Sequence, residues 1–268
     1  MTSSPRPAKA VAGVDIGSIT AKTVVLSARG EILSHKVIHG GIVNEAAALA
    51  SLEGALEGAG VGRAELGYLV TTGYGRIMVS FGDKNITEIS CHGRGAHHIS
   101  PGVRTVIDIG GQDSKAIALD GDGGVSNFAM NDKCAAGTGR FLEVMAHALG
   151  VPLEEMAELS LRSRHPAQVS SVCTVFAESE IISLVSQGGS TVDIIAGIHE
   201  AIGRRMRGMA TTISPRAPAM MTGGVAKNQG VVGVLNRRLG IELSVPEEPQ
   251  IVGALGAALF ALDELRGG

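Results

Sequence analysis

The sequence contains no tryptophan, and aromatic residues make up 3% of its 268 residues. A sizeable core must therefore be built from Val, Ile, Leu, Ala and Met, as is typical of buried parallel β-sheets. Cysteine is also scarce, with three residues at positions 91, 134 and 173. In a cytosolic protein this odd count argues against a disulfide framework and leaves metal binding or inert burial open.

Charge and long apolar runs are limited as well. Charged residues make up 18% of the chain, the formal net charge is −3 and no basic patch stands out, so nucleic acid is not an expected partner. Arg204, Arg205 and Arg207 are interpreted as the solvated side of a helix. No apolar run is long enough to span a bilayer, and no apolar signal segment precedes the first predicted strand. These absences predict a cytoplasmic protein with no membrane partner.

Glycine, by contrast, is abundant at 38 residues, and one glycine-containing motif occurs twice. DIGSITAK occupies Asp15–Lys22, and DIGGQDSK occupies Asp108–Lys115. The longer segments VDIGSITAKTVVL and IDIGGQDSKAIAL align without a gap, Asp with Asp, Gly with Gly and Lys with Lys. Because both motifs stand in a strand–turn–strand context about one lobe apart, they predict an internal duplication.

The surrounding pattern predicts an α/β protein in which the same element order starts twice. A helix is expected over residues 44–59, with Asn44 as its cap. The first half is also expected to contain strands at Ala10–Ile16, Thr23–Ser27, Glu31–Ile38 and Leu66–Thr71. The second half is expected to contain strands at Arg104–Ile109, Ala116–Asp120 and Val125–Met130, then a helix at Thr138–Leu149.

Each Asp-x-Gly turn suits phosphate binding. A strand that ends in Asp and turns back presents backbone N–H groups for phosphate oxygens and a carboxylate for Mg²⁺. Glycine lets the backbone approach a ligand closely, and this applies to Gly17, Gly110 and Gly111. Ser18 and Lys22 add a hydroxyl and a charge at the phosphate. A plain β-turn with a capping Asp explains one such hairpin equally well, but explains the pair less well.

Gln112 and Asp113, at the tip of the second motif, are candidates to orient an attacking water in phosphoryl transfer. A third element is the run MMTGGVAKN at Met220–Asn228, where an apolar strand ends in Thr-Gly-Gly and a helix opens. Gly223 and Gly224 would bring bare backbone beside a flat ligand such as adenine or ribose.

These three features resemble the actin, Hsp70 and sugar-kinase fold. The resemblance implies a duplicated two-lobe α/β protein that closes on ATP and Mg²⁺. The N-terminal lobe is expected at residues 1–99 and the C-terminal lobe at 100–249. The sequence pattern predicts a C-terminal helix at Ile251–Leu265. This segment, residues 250–266, is expected to pack back on the first lobe.

Two of the cysteines precede predicted helices. Cys134 stands in NDKCAAGTGRF before Thr138–Leu149, and Cys173 stands in SVCTVFAESEIISL before a helix expected at Phe176–Gln187. The partial positive charge of a helix N-terminus stabilises a thiolate. A [4Fe–4S] cluster usually takes four Cys ligands, so a dimer in which each protomer donates these two cysteines would supply the full set. Inert buried cysteines remain the alternative.

Five motifs together resemble the activators of 2-hydroxyacyl-CoA dehydratases: DIGGQDSK, NDKCAAGTGRF, CTVFAESEII, TGGVAKN and ITEISCHGRGA at Ile86–Ala96. This family, BadF/BadG/BcrA/BcrD, also includes ATPase subunits of benzoyl-CoA reductase. The resemblance implies a homodimer or pseudo-symmetric heterodimer with one bridging [4Fe–4S] cluster, and one ATP/ADP and Mg²⁺ site in each chain. Ferredoxin or flavodoxin would supply an electron that passes to an iron–sulfur dehydratase or reductase.

The resemblance also assigns residues. Cys134 and Cys173 fall on cluster ligands, and Cys91 is interpreted as structural. Asp15, Asp108 and Gln112 fall on catalytic positions. The nucleotide-binding assignments are Asp15, Gly17, Ser18, Lys22, Asp108, Gly110, Gly111, Gln112, Gly223 and Gly224. Glu178 and Glu180 either contact nucleotide or lock their helix to the second lobe.

Three other functions compete with a free-standing activator. The chain could be an ATPase subunit inside a benzoyl-CoA reductase, although its compact length and intact motifs favour an activator. A sugar kinase on the same fold predicts no cluster and a dispensable Cys134. A regulatory ATP-binding protein predicts nucleotide binding without electron transfer.

Overall fold

The protein folds as two compact units, each built on a five-stranded sheet. The computed structural model describes residues 9–40, 45–170 and 173–267, and the predicted cap Asn44 lies outside them. The first unit takes its described residues from Met1–Pro101, Asp122–Gly124 and Gln250–Gly268. The second unit consists of Gly102–Gly121 and Val125–Pro249, again within the described residues.

The sheet of the first unit has the strand order β3-β2-β1-β4-β5. Its strands are β1 (Ala10–Ile16), β2 (Thr20–Ser27), β3 (Ile32–His39), β4 (Leu66–Thr72) and β5 (Lys84–Asn85). The first three form an antiparallel meander, and β4 and β5 add to it in parallel. All seven residues of β1 are buried, which agrees with its nearly continuous apolar sequence and its central place.

Among the residues that the structure describes, this unit has three α-helices: α1 (Glu45–Ala59), α2 (Glu88–Ile99) and the C-terminal helix, which is α8 (Val252–Gly267) in chain order. Helix α8 packs on β1, β4 and α2. Glycine makes this contact possible, because a Cβ added at Gly13 would collide with the backbone of Ala254 and Ala258. The start of α8 thereby comes close to the end of β1, where Asp15 lies.

The sheet of the second unit has the order β10-β9-β6-β7-β8. Its strands are β6 (Thr105–Ile109), β7 (Ser114–Leu119), β8 (Val125–Asn131), β9 (Ala219–Thr222) and β10 (Leu243–Ser244). An antiparallel meander is again followed by two parallel strands. The shared order confirms the internal duplication that the two motifs predict.

The described part of the second unit contains five α-helices. They are α3 (Gly139–Leu149), α4 (Met156–Leu161), α5 (Thr174–Ser186), α6 (Thr191–Thr211) and α7 (Gln229–Leu239). Isoleucine, valine, alanine and methionine fill the core of this unit, with Phe141 contributing an aromatic ring. Among the helices that the structure describes, none is long and apolar enough to cross a membrane.

Both Asp-x-Gly motifs form tighter hairpins than expected. Strand β2 begins at Thr20 instead of Thr23, and β7 begins at Ser114 instead of Ala116. Antiparallel pairing continues up to Ile16 and Ala21 in the first hairpin and up to Ile109 and Ser114 in the second. The turns are therefore short, and the Asp of each motif pairs directly across the ladder with its Lys.

Candidate ATP site and cysteine segments

The first hairpin brings Asp15, Gly17, Ser18 and Lys22 together. Asp15, the next-to-last residue of β1, has 5% of its surface exposed, and Lys22 Nζ lies 3.2 Å from its Oδ2 atom. The Gly17 N–H donates to the Thr20 carbonyl at 3.0 Å and closes the turn. A Cβ added at Gly17 would lie 2.9 Å from Lys22 Nζ, so the ammonium stands beside the turn backbone. A positive charge and the backbone of a tight turn thus meet at one point, an arrangement that suits phosphate binding.

A second turn, which the site assignment from sequence omits, supports this hairpin. Gly73 follows β4 with φ +85°, and a Cβ there would collide with Asp15 Oδ1 and the Ile16 carbonyl. Two residues later, the Gly75 N–H donates to the Ile16 carbonyl at 2.8 Å. The sequence signal for this turn was the TTGYGR run, which follows a strand that pairs in parallel with β1.

The second hairpin carries a buried charge triad. Lys115 Nζ lies 3.1 Å from Asp108 Oδ2 and 2.8 Å from Asp113 Oδ2. The side chains of Lys115 and Asp108 are 2% and 4% exposed, and that of Asp113 is 21% exposed. Gln112 is exposed at the turn, and the Gly110 N–H donates to the Asp113 carbonyl at 3.0 Å. Lys115 was missed as a site residue, although it aligns with Lys22.

The Gly223–Gly224 turn lies directly against this hairpin. Thr222 Oγ1 donates to Asp108 Oδ1 at 2.8 Å, because β9 pairs in parallel with β6. Gly223 has φ +85°, and a Cβ there would collide with the Ile109 carbonyl and lie 2.9 Å from Asp108 Oδ1. Gly224 then starts a 3₁₀ turn, Gly224–Lys227, that precedes α7. The turn and Asp108 therefore form one site within the second unit.

The second hairpin also caps helix α3. The N–H groups of Gly139 and Arg140 donate to the carbonyls of Gly110 and Gly111 at 2.9 Å and 2.8 Å. The N-cap residue Thr138 makes no side-chain capping bond. Free amides at a helix start need acceptors, and here the carbonyls of the second hairpin supply them.

The segment before α3 holds Cys134 in a half-buried position. Asn131 Nδ2 donates to the Cys134 carbonyl at 2.7 Å, and Thr138 Oγ1 donates to the Ala135 carbonyl at 2.6 Å. The structure corrects the expectation that the N-terminus of α3 stabilises this thiol. The helix begins at Gly139, five residues after the cysteine, and its first two amides bind the hairpin.

Cys173 is the N-cap residue of α5 and is exposed. Its place at a helix start is as predicted, although the helix begins at Thr174 instead of Phe176. Glu180 accepts hydrogen bonds from the Ser170 N–H at 2.8 Å and the Ser170 hydroxyl at 2.9 Å. Glu180 thus ties α5 to the segment before Cys173. Helices α3 and α5 pack against each other, so the segments that carry the two cysteines precede two packed helices.

Cys91 differs from the other two cysteines. It is buried in the first unit, and burial raises the pKa of its thiol to about 12. Such a thiol stays protonated, in agreement with a structural role. Within residues 9–40, 45–170 and 173–267, no group of three or more His, Cys, Asp and Glu residues is placed to hold a metal ion. Cys134 is half-buried and Cys173 is exposed, and two thiolates from one chain would make up half of a four-thiolate cluster site.

Two hairpins of one design, each on the same sheet order, define the two-lobed α/β fold shared by actin, Hsp70 and the sugar kinases. A ROK family glucokinase from Streptomyces griseus has this fold at 15% identity and a TM-score of 0.59, covering 97% of this chain and 100% of that one. The chain belongs to the BadF/BadG/BcrA/BcrD ATPase family, whose profile matches residues 12–261. The resemblance seen in the motifs is thereby confirmed.

Close relatives cover almost the whole chain. The activator of lactoyl-CoA dehydratase from Anaerotignum propionicum is 47% identical over 94% of this chain and 96% of its own length. The 2-hydroxyisocaproyl-CoA dehydratase activator from Clostridioides difficile is 44% identical over 95% of both chains. A solved structure of the activator of the 2-hydroxyisocaproyl-CoA dehydratase from Clostridium difficile, with bound ADPNP, has a TM-score of 0.91 at 43% identity and 96% coverage of both chains. A benzoyl-CoA reductase subunit from Thauera aromatica is less similar, at 32% identity over 93% of this chain and 92% of its own.

Proposed function

We propose that this protein is an ATP-hydrolysing iron–sulfur activator of a 2-hydroxyacyl-CoA dehydratase, acting in the cytoplasm. The observation that carries the proposal is the full-length similarity to activators of two such dehydratases. Ferredoxin or flavodoxin would supply the electron, and the dehydratase would accept it. The specific acyl-CoA would bind to the dehydratase.

Nucleotide binding is assigned to the two hairpins and the glycine turn. The amides of Gly17 and Gly110 close the two turns, where the absence of a side chain would let a phosphate come close. The amides of Ser18 and Gly111 would bind phosphate oxygens, and Lys22 would add a positive charge. Asp15 and Asp108 are assigned to Mg²⁺, which prefers carboxylate ligands. Gly223 and Gly224 would contact the adenosine, and the exposed Gln112 would orient the attacking water. The ADPNP bound to the Clostridium difficile relative supports the proposal that the present chain binds a nucleotide.

A [4Fe–4S] cluster, when bound, supplies one-electron redox chemistry. Cys134 and Cys173 would hold it, and their surroundings suit this task because both thiols keep accessible surface and small residues follow Cys134. Since one chain contributes two thiolates, four require a second copy, so we propose a homodimer. Exposed apolar side chains on α5, next to Cys173, support such an interface. They are Val175, Phe176, Ile182 and Val185.

The coupling between nucleotide and cysteine segment would run through α3. Gly110 and Gly111 are assigned to phosphate binding, and their carbonyls accept the first two amides of α3. A rearrangement of the hairpin after loss of the γ-phosphate would therefore move the helix that follows Cys134. A switch of this kind needs an element that the γ-phosphate biases between two states, and we assign that role to the hairpin and α3.

The test begins with protein purified without oxygen. We expect a coloured protein that bleaches in air, with four iron atoms per two chains. Size-exclusion chromatography with light scattering checks that the coloured species is a dimer. A colourless monomer that phosphorylates a sugar would overturn the proposal in favour of a kinase.

An ATPase component of benzoyl-CoA reductase is the second candidate, and the similarity to the Thauera aromatica reductase chain favours it. The two candidates differ in their assembly. An activator is expected to purify alone and meet the dehydratase transiently, whereas a reductase component is expected to stay in a larger complex. Affinity purification from native cells separates them, and neighbouring genes for two dehydratase chains would agree with the first.

A further inference from the structure

The two motif lysines occupy equivalent positions but have different surroundings. Each follows its motif Asp by seven residues and contacts that carboxylate. The Lys22 side chain is 14% exposed and pairs with Asp15. The Lys115 side chain is 2% exposed and bridges Asp108 and Asp113. The first hairpin has Thr20 at the position of Asp113, so the second carboxylate is specific to the second hairpin.

We propose that Lys115 is a positioning residue for Asp108 and the second turn, and that it binds no phosphate itself. This inference rests on the proposed nucleotide site. In this division of roles, Lys22 contacts phosphate, and Lys115 holds the carboxylates that face the cation.

The contacts of Asp108 support a fixed orientation. Its Oδ1 atom accepts from Thr222 at 2.8 Å, and its Oδ2 atom lies 3.1 Å from Lys115 Nζ. Both oxygens are thus anchored on different strands, which restricts rotation of the carboxylate. Because Thr222 precedes the Gly223 turn, one buried network connects the cation ligand to the adenosine turn.

The contacts of Asp113 fix the turn in the same way. Its Oδ2 atom lies 2.8 Å from Lys115 Nζ, and its Oδ1 atom occupies the space that a Cβ on Gly110 would need. The carboxylate is therefore folded back over the turn whose amides are assigned to phosphate. Lys115 holds it there, since a buried ammonium requires opposite charge within contact distance.

The two hairpins also differ in net formal charge. The pair of Asp15 and Lys22 is neutral, which leaves the lysine able to meet an anion. The triad of Asp108, Asp113 and Lys115 keeps one net negative charge, which suits a divalent cation. Loss of Lys115 would remove the positive charge that lies between two carboxylates, and like charges at such close range destabilise each other.

The test compares Lys115→Met, Asp113→Asn, the double variant, Lys22→Met and a matched control, Lys84→Met, whose exposed side chain pairs with Glu264 in another part of the chain. ATP hydrolysis is measured against ATP and Mg²⁺ concentration. We expect kcat of Lys115→Met to fall roughly 10- to 100-fold through misplacement of Asp108, with a smaller change in KM for ATP. Lys22→Met is expected to raise KM for ATP instead, and Lys84→Met to leave both unchanged.

Asp113→Asn provides the decisive comparison. In the double variant the negative charge of Asp113 is also removed. We therefore expect kcat to recover at least severalfold relative to Lys115→Met. If Lys115→Met does not fold, we expect the double variant to fold, for the same electrostatic reason. If Lys115 instead binds phosphate, Lys115→Met would have a raised KM for ATP, and kcat of the double variant would not recover. A double variant that does not fold would also contradict the positioning role. Wild-type ATP binding, measured first by calorimetry, separates the two proposals, because its absence contradicts the nucleotide site itself.

Discussion

The Gly139 N–H donates a 2.9 Å hydrogen bond to the carbonyl of Gly110. A residue of the second Asp-x-Gly hairpin thereby caps the helix that follows the Cys134 segment. Thr138, the N-cap residue, does not cap the helix with its side chain, so the hairpin takes over this task. In the proposed activator, the nucleotide and the cysteine segment are linked through the backbone at this point.

Gly139→Ala tests this link. An added Cβ would lie 3.2 Å from the Gly110 carbonyl oxygen and 3.4 Å from Gly111 Cα, so the helix start must shift by a few tenths of an ångström. We expect ATP-driven reduction of the dehydratase to fall severalfold while ATP hydrolysis falls less. The control is Gly208→Ala on α6, where a Cβ meets nothing within 4 Å and stabilises the helix by about 0.5–1 kcal/mol. Equal losses of both activities in Gly139→Ala would argue against coupling through this contact.

The three cysteines give a second prediction. Cys134→Ala and Cys173→Ala are each expected to lose the iron and the visible absorption, because each removes two thiolates from a dimer. Cys91→Ala is expected to keep the iron and to lose about 1 kcal/mol of unfolding free energy, since its thiol is buried and protonated. Iron analysis and thermal unfolding check both expectations. Full iron content in Cys134→Ala would remove this residue from the ligand set.

Gly223 allows backbone strain and steric collision to be separated. Gly223→Ala places a Cβ at φ +85° against the Ile109 carbonyl, and we expect a loss of roughly 2–4 kcal/mol of unfolding free energy together with nucleotide affinity. Gly240 at the end of α7 is the matched control, with φ +67° and nothing within 4 Å of an added Cβ. Gly240→Ala should cost about 1–2 kcal/mol and leave nucleotide affinity unchanged. Similar affinity losses in both variants would contradict the assignment of the glycine turn.

A fourth prediction concerns stability in acid. Burial lowers the pKa of His199 to about 4, against a smaller opposing effect of Glu200. Since this pKa lies below the unfolded value near 6.5, the unfolded chain binds a proton first as the pH falls. The stability contributed by neutral His199 is therefore complete above about pH 6.5 and is lost towards pH 4, by up to a few kcal/mol.

Denaturant unfolding of His199→Gln between pH 4 and 7 checks this prediction. The variant is expected to lose less stability across that interval than the wild type, because glutamine does not titrate. His98→Gln, at an exposed position, serves as the control and should keep the wild-type slope. An unchanged slope in His199→Gln would show that other groups cause the acid sensitivity.

The two hairpins of the candidate site were predictable because their backbone requirements are local. Asp-x-Gly between two apolar strands indicates a hairpin wherever it occurs, and its repetition indicated the duplicated sheet order. The starts of β2 and β7 were misplaced because Thr20 and Ser114 are polar, although the ladder extends to them. Residue propensity assigns such polar residues to a loop, whereas cross-strand hydrogen bonding determines where the strand begins.

Other features depend on contacts between distant parts of the chain. Gly93 and Gly95 weaken the helical pattern of α2, yet a Cβ at Gly95 would collide with the Val252 carbonyl, so close packing on α8 requires glycine there. The alignment pairs Lys115 with Lys22 but does not reveal that one of them is buried between two carboxylates. The capping of α3 by Gly110 and Gly111 was likewise hidden, because no side chain carries it.

ATP-dependent reduction of the purified dehydratase tests the central claim most directly. The reduced protein is mixed with its dehydratase without oxygen, and the absorption of the dehydratase is followed with ATP or with ADPNP. We predict reduction with ATP and little or none with ADPNP, because hydrolysis must release the second hairpin. Equal reduction with both nucleotides would contradict the coupling of hydrolysis to electron transfer.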